Sequence, residues 1–306
     1  MPGDAVPYAG WRVSRQVRTS LTALLLILPS LLFLAVFTYY PIARAFWLSL
    51  FKGAAGSDRM AFVGAGNYAE LLSSGLFLLV LRNSLWYALG TVGIATAFGL
   101  AFALLLNRPL RLIGLFRVGL FYPTVVPMAA ASMVWIFLFN PAYGAVNHLL
   151  RLLRLPSGID WLNVSPYALL AIIMVGIWKY AGYYMIIFLA GLQAIDAELH
   201  EAARLEGANP WQEFWRITFP LLTPTTFFVM IIAIINSFQA VDQVYVMTRG
   251  GPHNSTNVLM YHIYLLGFVY WDTGSAAAAS TALFAVLLLG TFVYFRYLGS
   301  RVHYAR

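Results

Sequence analysis

Cysteine is absent from the 306 residues. That excludes disulfides, zinc thiolates and thiol nucleophiles. Charge is scarce too: 10% of the residues are Asp, Glu, Lys or Arg, against roughly 25% in soluble domains. Lysine stands only at Lys52 and Lys179, preceded by Phe51 and Trp178. Neither completes the G-x-x-x-x-G-K-[ST] cradle that ATP hydrolysis needs, so the chain carries no phosphate loop. His148, His200, His253, His262 and His303 are scattered without metal-site spacing. No Ser/His/Asp set is argued by local context. No catalytic residue, metal or cofactor is expected, and nothing supports a membrane-bound enzyme.

Apolar residues are abundant. They make up 61% of the chain, and the mean hydropathy is +0.77. The sequence is that of an integral membrane protein. A net charge of +8 would suggest nucleic acid as the partner of a soluble protein. Here the arginines gather at the ends of apolar runs, so topology and contact with membrane lipid explain them, and no nucleic acid is expected.

Six apolar segments are long enough to span, giving an all-α fold of six transmembrane helices. They cover 20–40, 79–106, 118–139, 166–192, 225–247 and 274–297. Pro29 is expected to kink the first, and Pro123 and Pro127 to break the third. Trp178, Lys179 and Tyr180 interrupt the fourth. Gly90, Gly93 and Gly99 allow close helix contacts in the second. Arg12, Arg15 and Arg18 precede the first run without a small-residue cleavage site, so that run is read as a retained span. The segments divide as follows: 1–19, a cytoplasmic N-terminal stretch; 20–79, the first span with its outer loop; 80–298, a core of five spans; 299–306, a cytoplasmic tail. An even number of spans puts both termini on one side. Arg108, Arg111, Arg117, Arg204, Arg216, Arg296, Arg301 and Arg306 fall on that side, while Arg44, Lys52, Arg59, Arg82, Arg151, Arg154 and Arg249 fall outside or at the outer boundary. The asymmetry has the sign expected for cytoplasmic ends.

Segment 196–224 is the long polar interruption in the second half, with Asp196, Glu198, Glu201, Glu206 and Glu213 close together. Asp196 can cap a short helix that stops at Gly207. Asn209, Pro210 and Gln212 then read as a capping box opening a second helix, which Pro220 ends. Trp211, Phe214 and Trp215 form a bulky stripe on it. Two readings stand for that stripe: packing on the protein's own helix ends, or docking of a soluble partner.

Polar groups at membrane depth are functional candidates. Asn236, Gln239 and Gln243 share a helix face at i, i+3 and i+7, flanked by Asp242. That face points into protein or a water-filled path. It serves either to bond helices together or to line a path for a hydroxyl-rich solute. Trp178, Tyr180, Tyr183 and Tyr184 could offer rings to sugar C–H surfaces, or sit as an interfacial belt.

The spacing of Glu201-Ala202-Ala203, Gly207, Ile217 and Phe219-Pro220 resembles the EAA loop of permease subunits of ABC importers. The family's usual ending is Ile-x-Leu-Pro, and Phe219 replaces the leucine. The resemblance extends from about Phe33 to Tyr304. It includes Phe62-Val63-Gly64 with Asn67-Tyr68, the run from Trp135 to Pro141, and Asp242-x-x-Tyr245 through Gly250-Gly251-Pro252. These look like the first permease of maltose and sn-glycerol-3-phosphate importers. The ending Phe295-Arg296-Tyr297 with Arg301-Val302-x-Tyr304 looks closest to the glycerol-phosphate branch. The resemblance implies a type I importer permease in a bacterial or archaeal cell membrane. It implies partners of three kinds: a second permease, two ATP-binding cassette subunits and an external solute-binding protein. Glu201, Ala202, Ala203, Gly207, Ile217 and Pro220 would then form the coupling contact, with Glu201 pairing to a basic residue of the ATPase and Gly207 supplying the turn. The rival reading is a secondary transporter driven by an ion gradient. It needs paired intramembrane charges or inverted repeats, and the sequence offers neither, with Lys179 and Asp242 placed near span boundaries.

Overall fold

The computed structural model describes residues 9–54, 56, 60–108 and 111–298. Arg59 and the tail 299–306, with Arg301, Val302 and Tyr304, lie outside the described residues, as do 1–8 of the N-terminal stretch.

α1 (Ala9–Leu34) runs through a π-helical turn, Ala35–Tyr39, into α2 (Tyr40–Leu48). Pro29 lies inside α1 without ending it. The π turn stands two residues before Pro41. A proline ring clashes with the carbonyl four residues back, and a wider turn moves that carbonyl aside. The first apolar helix therefore extends to Leu48, beyond the expected 40. It stands off the body, with its most apolar stretch unburied. α2 meets the rest through Phe46, edge-on to Phe284 at 5.9 Å.

A two-stranded antiparallel ribbon follows, β1 (Phe51–Lys52) with β2 (Ala61–Phe62). The Phe62 to Tyr68 element clasps it. Buried Asn67 donates to Ser49 O at 2.8 Å and Phe51 O at 2.7 Å, and Tyr68 donates to Ser49 Oγ at 2.6 Å. α3 (Gly66–Ser73) leads into α4 (Gly75–Leu106).

The expected third span is two helices, α5 (Ile113–Val125) and α6 (Met128–Leu138), meeting at 102°. The short amphipathic α7 (Ala145–Leu152) precedes α8 (Tyr167–Gln193). Contrary to the sequence expectation, α8 is unbroken through Trp178-Lys179-Tyr180. Lys179 is also not near a boundary. It stands 12 residues from Tyr167 and 14 from Gln193, at the centre of the helix.

Then come α9 (Ala197–Leu205), α10 (Pro210–Glu213), a π-helical turn over Phe214–Thr218, α11 (Phe219–Leu221) and α12 (Thr223–Phe238). α13 (Asp242–Met247), α14 (Leu259–Tyr264) with a π turn, Leu265–Val269, and α15 (Thr273–Leu298) complete the chain.

α4 and α8 form the central pair, and they are parallel. Gly90 faces Ile173, while Gly99 faces Tyr184 and Met185. A Cβ on Gly99 would come 2.8 Å from that of Tyr184, so the absence of a side chain sets the helix separation. Gly93 faces open space instead, and takes no part in the contact expected of it. Two parallel helices that both cross require one crossing between them. The bent pair α5–α6 is therefore a single broken span, and the crossings number six.

Three buried clusters hold the bundle. One joins Tyr87, Phe139, Ile172 and Val244; a second joins Ala103, Met185, Leu222 and Val229; a third joins Phe77, Val80, Leu259 and Ala278. Burying each large aliphatic or aromatic side chain is worth about 1.5–3 kcal/mol against water, and lipid exposure reduces that gain on the outer face.

Candidate functional site

The loop between α8 and α12 forms locally as its sequence dictates. The Asp196 carboxylate accepts from Glu198 N at 3.2 Å and caps α9. α9 ends with Gly207 N donating to Arg204 O at 3.1 Å and Ala208 N donating to Ala203 O at 3.0 Å. This pair of bonds needs a left-handed residue between them. Gly207 supplies it with φ of +83°. The capping box is complete: Gln212 N donates to Asn209 Oδ1 at 2.9 Å, and Asn209 N donates to Gln212 Oε1 at 3.0 Å.

Pro220 does not end the second helix as expected. It sits in the first turn of α11, and the helical path continues toward α12. As at Pro41, a π turn stands two residues ahead of the proline and opens the backbone around its ring. Ile217 lies within this wide turn, half-buried.

Glu213 ties the two short helices together. Its carboxylate accepts from Arg204 Nη2 at 3.1 Å and Arg204 Nε at 3.2 Å, and His200 Nδ1 lies 2.8 Å away. The Arg204 guanidinium holds the Glu213 carboxyl below its usual range, against the opposing cost of burial. Sequence reasoning missed this triad, because spacings of 9 and 13 residues cross a turn and follow no helical period. A groove of about 490 Å³ beside it is lined by Leu104, Arg108, Arg204, Pro210, Glu213, Phe214 and Thr218. The loop after α4 and the α9–α10 loop thus share one end of the bundle.

The outer side of this element is left uncovered by the chain itself. Glu201 and Ala202 are exposed, Ala203 is buried beneath them, Leu205 is 90% exposed and Trp211 is 71% exposed. Trp215 is half-exposed and packs on Phe214 and Phe219, so the bulky stripe is partly internal and partly free.

The polar stripe expected over Asn236, Gln239 and Gln243 is not one helix face. α12 ends at Phe238, Gln239 caps it, and α13 restarts at Asp242. The i, i+3, i+7 argument fails because the helix breaks between its members. Gln243 is buried, and its Nε2 donates to the Tyr87 hydroxyl at 2.8 Å. Asn236 is half-buried. Gln239 and Asp242 are exposed beside them. Trp178 is half-buried, edge-on to Trp135 at 5.7 Å, and Tyr183 packs on Tyr184 at 5.7 Å. Of the six residues, Gln239 and Asp242 are exposed, Gln243 is buried and bonded, and Asn236, Trp178 and Tyr183 are half-buried. Among the described residues no cluster of His, Cys, Asp and Glu is arranged to hold a metal ion.

Residues 92–304 match the family described as binding-protein-dependent transport system inner membrane component. The sn-glycerol-3-phosphate transport system permease protein UgpA of Agrobacterium fabrum is 34% identical over 283 residues, covering 92% of this chain and 95% of that protein. The trehalose/maltose transport system permease protein MalF of Thermococcus litoralis is 34% identical over 275 residues, covering 89% and 92%. The crystal structure of a bacterial ABC transporter involved in the import of the acidic polysaccharide alginate aligns with a TM-score of 0.80 at 20% identity, covering 96% of this chain and 100% of that one.

Proposed function

The chain belongs to the family of binding-protein-dependent transport system inner membrane components, and on that footing we propose that it forms half of the translocation pathway of an ABC importer for a carbohydrate-type solute, whether sugar, oligosaccharide or glycerol phosphate. A second permease completes the pathway, two ATP-binding cassette subunits drive it, and an extracytoplasmic binding protein delivers the solute. Both termini and the α9–α10 loop face the cytoplasm of a bacterial or archaeal cell.

The observation that carries this reading is the uncovered face of α9–α10. A helix–turn–helix, capped at both ends of α9 and at the start of α10 and tied together by Glu213, presents Glu201, Leu205 and Trp211 outward. Leaving Leu and Trp in water costs free energy, so a surface that keeps both exposed suits a partner's cleft. Glu201, Ala202, Ala203, Gly207, Ile217 and Pro220 are the coupling residues. ATP closing the ATPase dimer would press two such elements together and turn the spans outward. Gln239 and Asp242, exposed where α12 gives way to α13, are the polar side of the solute path, with Trp178 and Tyr183 as its rings. Gln243 backs them by its bond to Tyr87, with the half-buried Asn236 on the preceding helix.

The test is Glu201→Lys in the assembled transporter. The variant is expected to insert and co-purify with its second permease. Hydrolysis of ATP stimulated by the loaded binding protein should fall at least about tenfold, because a like charge meets the basic partner of the ATPase. Full stimulation in that variant would sink the coupling assignment. Purification without any ATPase subunit would sink the importer reading as a whole.

A further inference from the structure

A charged side chain at the centre of a span needs a reason. Lys179 is the one lysine within the described spans, at the midpoint of α8. The broken crossing beside it needs a reason too, because bare carbonyls at membrane depth are costly. The two explain each other.

α5 stops because Val126 is extended, with ψ of 130°, and because Pro127 has no N–H. In a continuing helix the residue at 127 would donate to Pro123 O, and the residue at 128 to Thr124 O. Both carbonyls are orphaned by the break. The Lys179 ammonium donates to Pro123 O at 3.0 Å and to Thr124 O at 3.0 Å, and also to Val126 O. In return Thr124 Oγ1 donates to the Lys179 carbonyl at 3.2 Å. An ammonium has three donors, and here three carbonyls take them, which leaves none for a solute. One residue away, Trp178 packs edge-on against Trp135 of α6, beyond the bend. Three residues along, Gly182 lets α5 approach so closely that a Cβ there would lie 1.8 Å from Leu120 O.

The structure assigns Lys179 as a positioning residue: its ammonium replaces the missing backbone donors of the broken third crossing and so fixes the angle at which α6 meets α8. This goes beyond the coupling and pathway assignments and requires neither. It gives the lysine main-chain ligands in place of an anionic solute, with the Asp242 carboxylate as the nearby opposite charge.

The experiment is hydrogen–deuterium exchange of the chain in lipid nanodiscs, read over 120–132. Lys179→Met is expected to raise exchange at the bend by roughly tenfold or more, since bonds to a charged donor are lost there, while α4 and α15 keep their protection. Lys179→Cys should behave the same way. The chain has no other cysteine, so 2-bromoethylamine converts that position alone into a lysine isostere, and protection should return. Wild-type chain treated in parallel controls for the reagent. Loss of protection throughout the bundle in Lys179→Met marks a folding defect, and aminoethylation of Lys179→Cys then decides. Unchanged exchange at the bend in Lys179→Met, or aminoethylation without recovery, overturns the assignment. Because no ATPase or solute enters the measurement, it stands apart from any failure of the importer reading.

Discussion

Glu213 joins the two short helices of the exposed loop, and its chemistry makes the joint sensitive to acid. Its folded pKa lies below the ordinary carboxylate value, chiefly through the bonds from Arg204 and with help from His200. A depressed carboxyl stabilises the folded arrangement above its unfolded pKa, and that contribution is lost as pH falls through the folded value. The α9–α10 angle should therefore hold from neutral pH down to the ordinary carboxylate range and loosen below it. Spin labels at the exposed Leu199 and Trp211 would report this as a distance that broadens in acid. Glu213→Gln should give the broad distribution at neutral pH and remove the acid step. A distance indifferent to both would show that the turn alone sets the angle. Residue identity made some of this legible and some not. Gly207 was readable because only one residue type takes φ of +83° without strain, at a cost of about 1 kcal/mol or more to others. Arg204 and Glu213 were not, because their pairing depends on how the turn folds α10 back.

At the scale of elements, caps were legible and breaks were not. Asp196 and the Asn209–Gln212 box act through neighbours two and three residues away, so sequence spacing carries them fully. Proline was misread at Pro220 for a physical reason. Its cost in a helix is the clash with the fourth carbonyl back, and a π turn relieves that clash without ending the helix. Nothing in local propensity signals the wider turn. The Gln239–Asp242 break was missed likewise, and with it the single-face argument for the polar stripe. The glycines show how far packing outruns pattern. Gly90 and Gly99 touch α8 and Gly93 does not, although the sequence singles out all three alike. Gly182, which the pattern did not single out, lies directly against the Leu120 carbonyl of α5. Gly182→Val should push α5 away, since the new Cβ would fall on a backbone carbonyl that has no rotamer to escape into. Overpacking of this kind costs about 1–3 kcal/mol or more. Thermal stability in detergent should drop, whereas Gly93→Val should leave it within error. Equal tolerance at the two positions would contradict the α5–α8 contact.

For the whole molecule the question is parity. Composition announced spanning helices at once, because 61% apolar residues and scarce charge admit little else. It did not settle how many crossings the chain makes, because a pair bent by 102° reads equally as a broken span or as a loop that returns to its own side. The parallel packing of α4 on α8 resolves it, and the groove shared by Leu104, Arg108, Arg204 and Glu213 agrees, since it places the ends of both helices together. Six crossings put Val17 and Glu206 on one side and Leu155 on the other; five would put Glu206 opposite Val17. The chain's lack of cysteine makes the test direct. Single cysteines at these three exposed positions are challenged with an impermeant thiol reagent in intact cells and again after lysis. Leu155→Cys is expected to react in intact cells, and Val17→Cys and Glu206→Cys only after lysis. If Glu206→Cys reacts from outside while Val17→Cys does not, the bent pair returns to its own side, the parallel register of α4 and α8 is wrong, and the exposed loop loses access to any ATPase. If all three reverse together, the crossings stand but the orientation read from the arginines is inverted, which again removes the α9–α10 surface from the side where ATP is held.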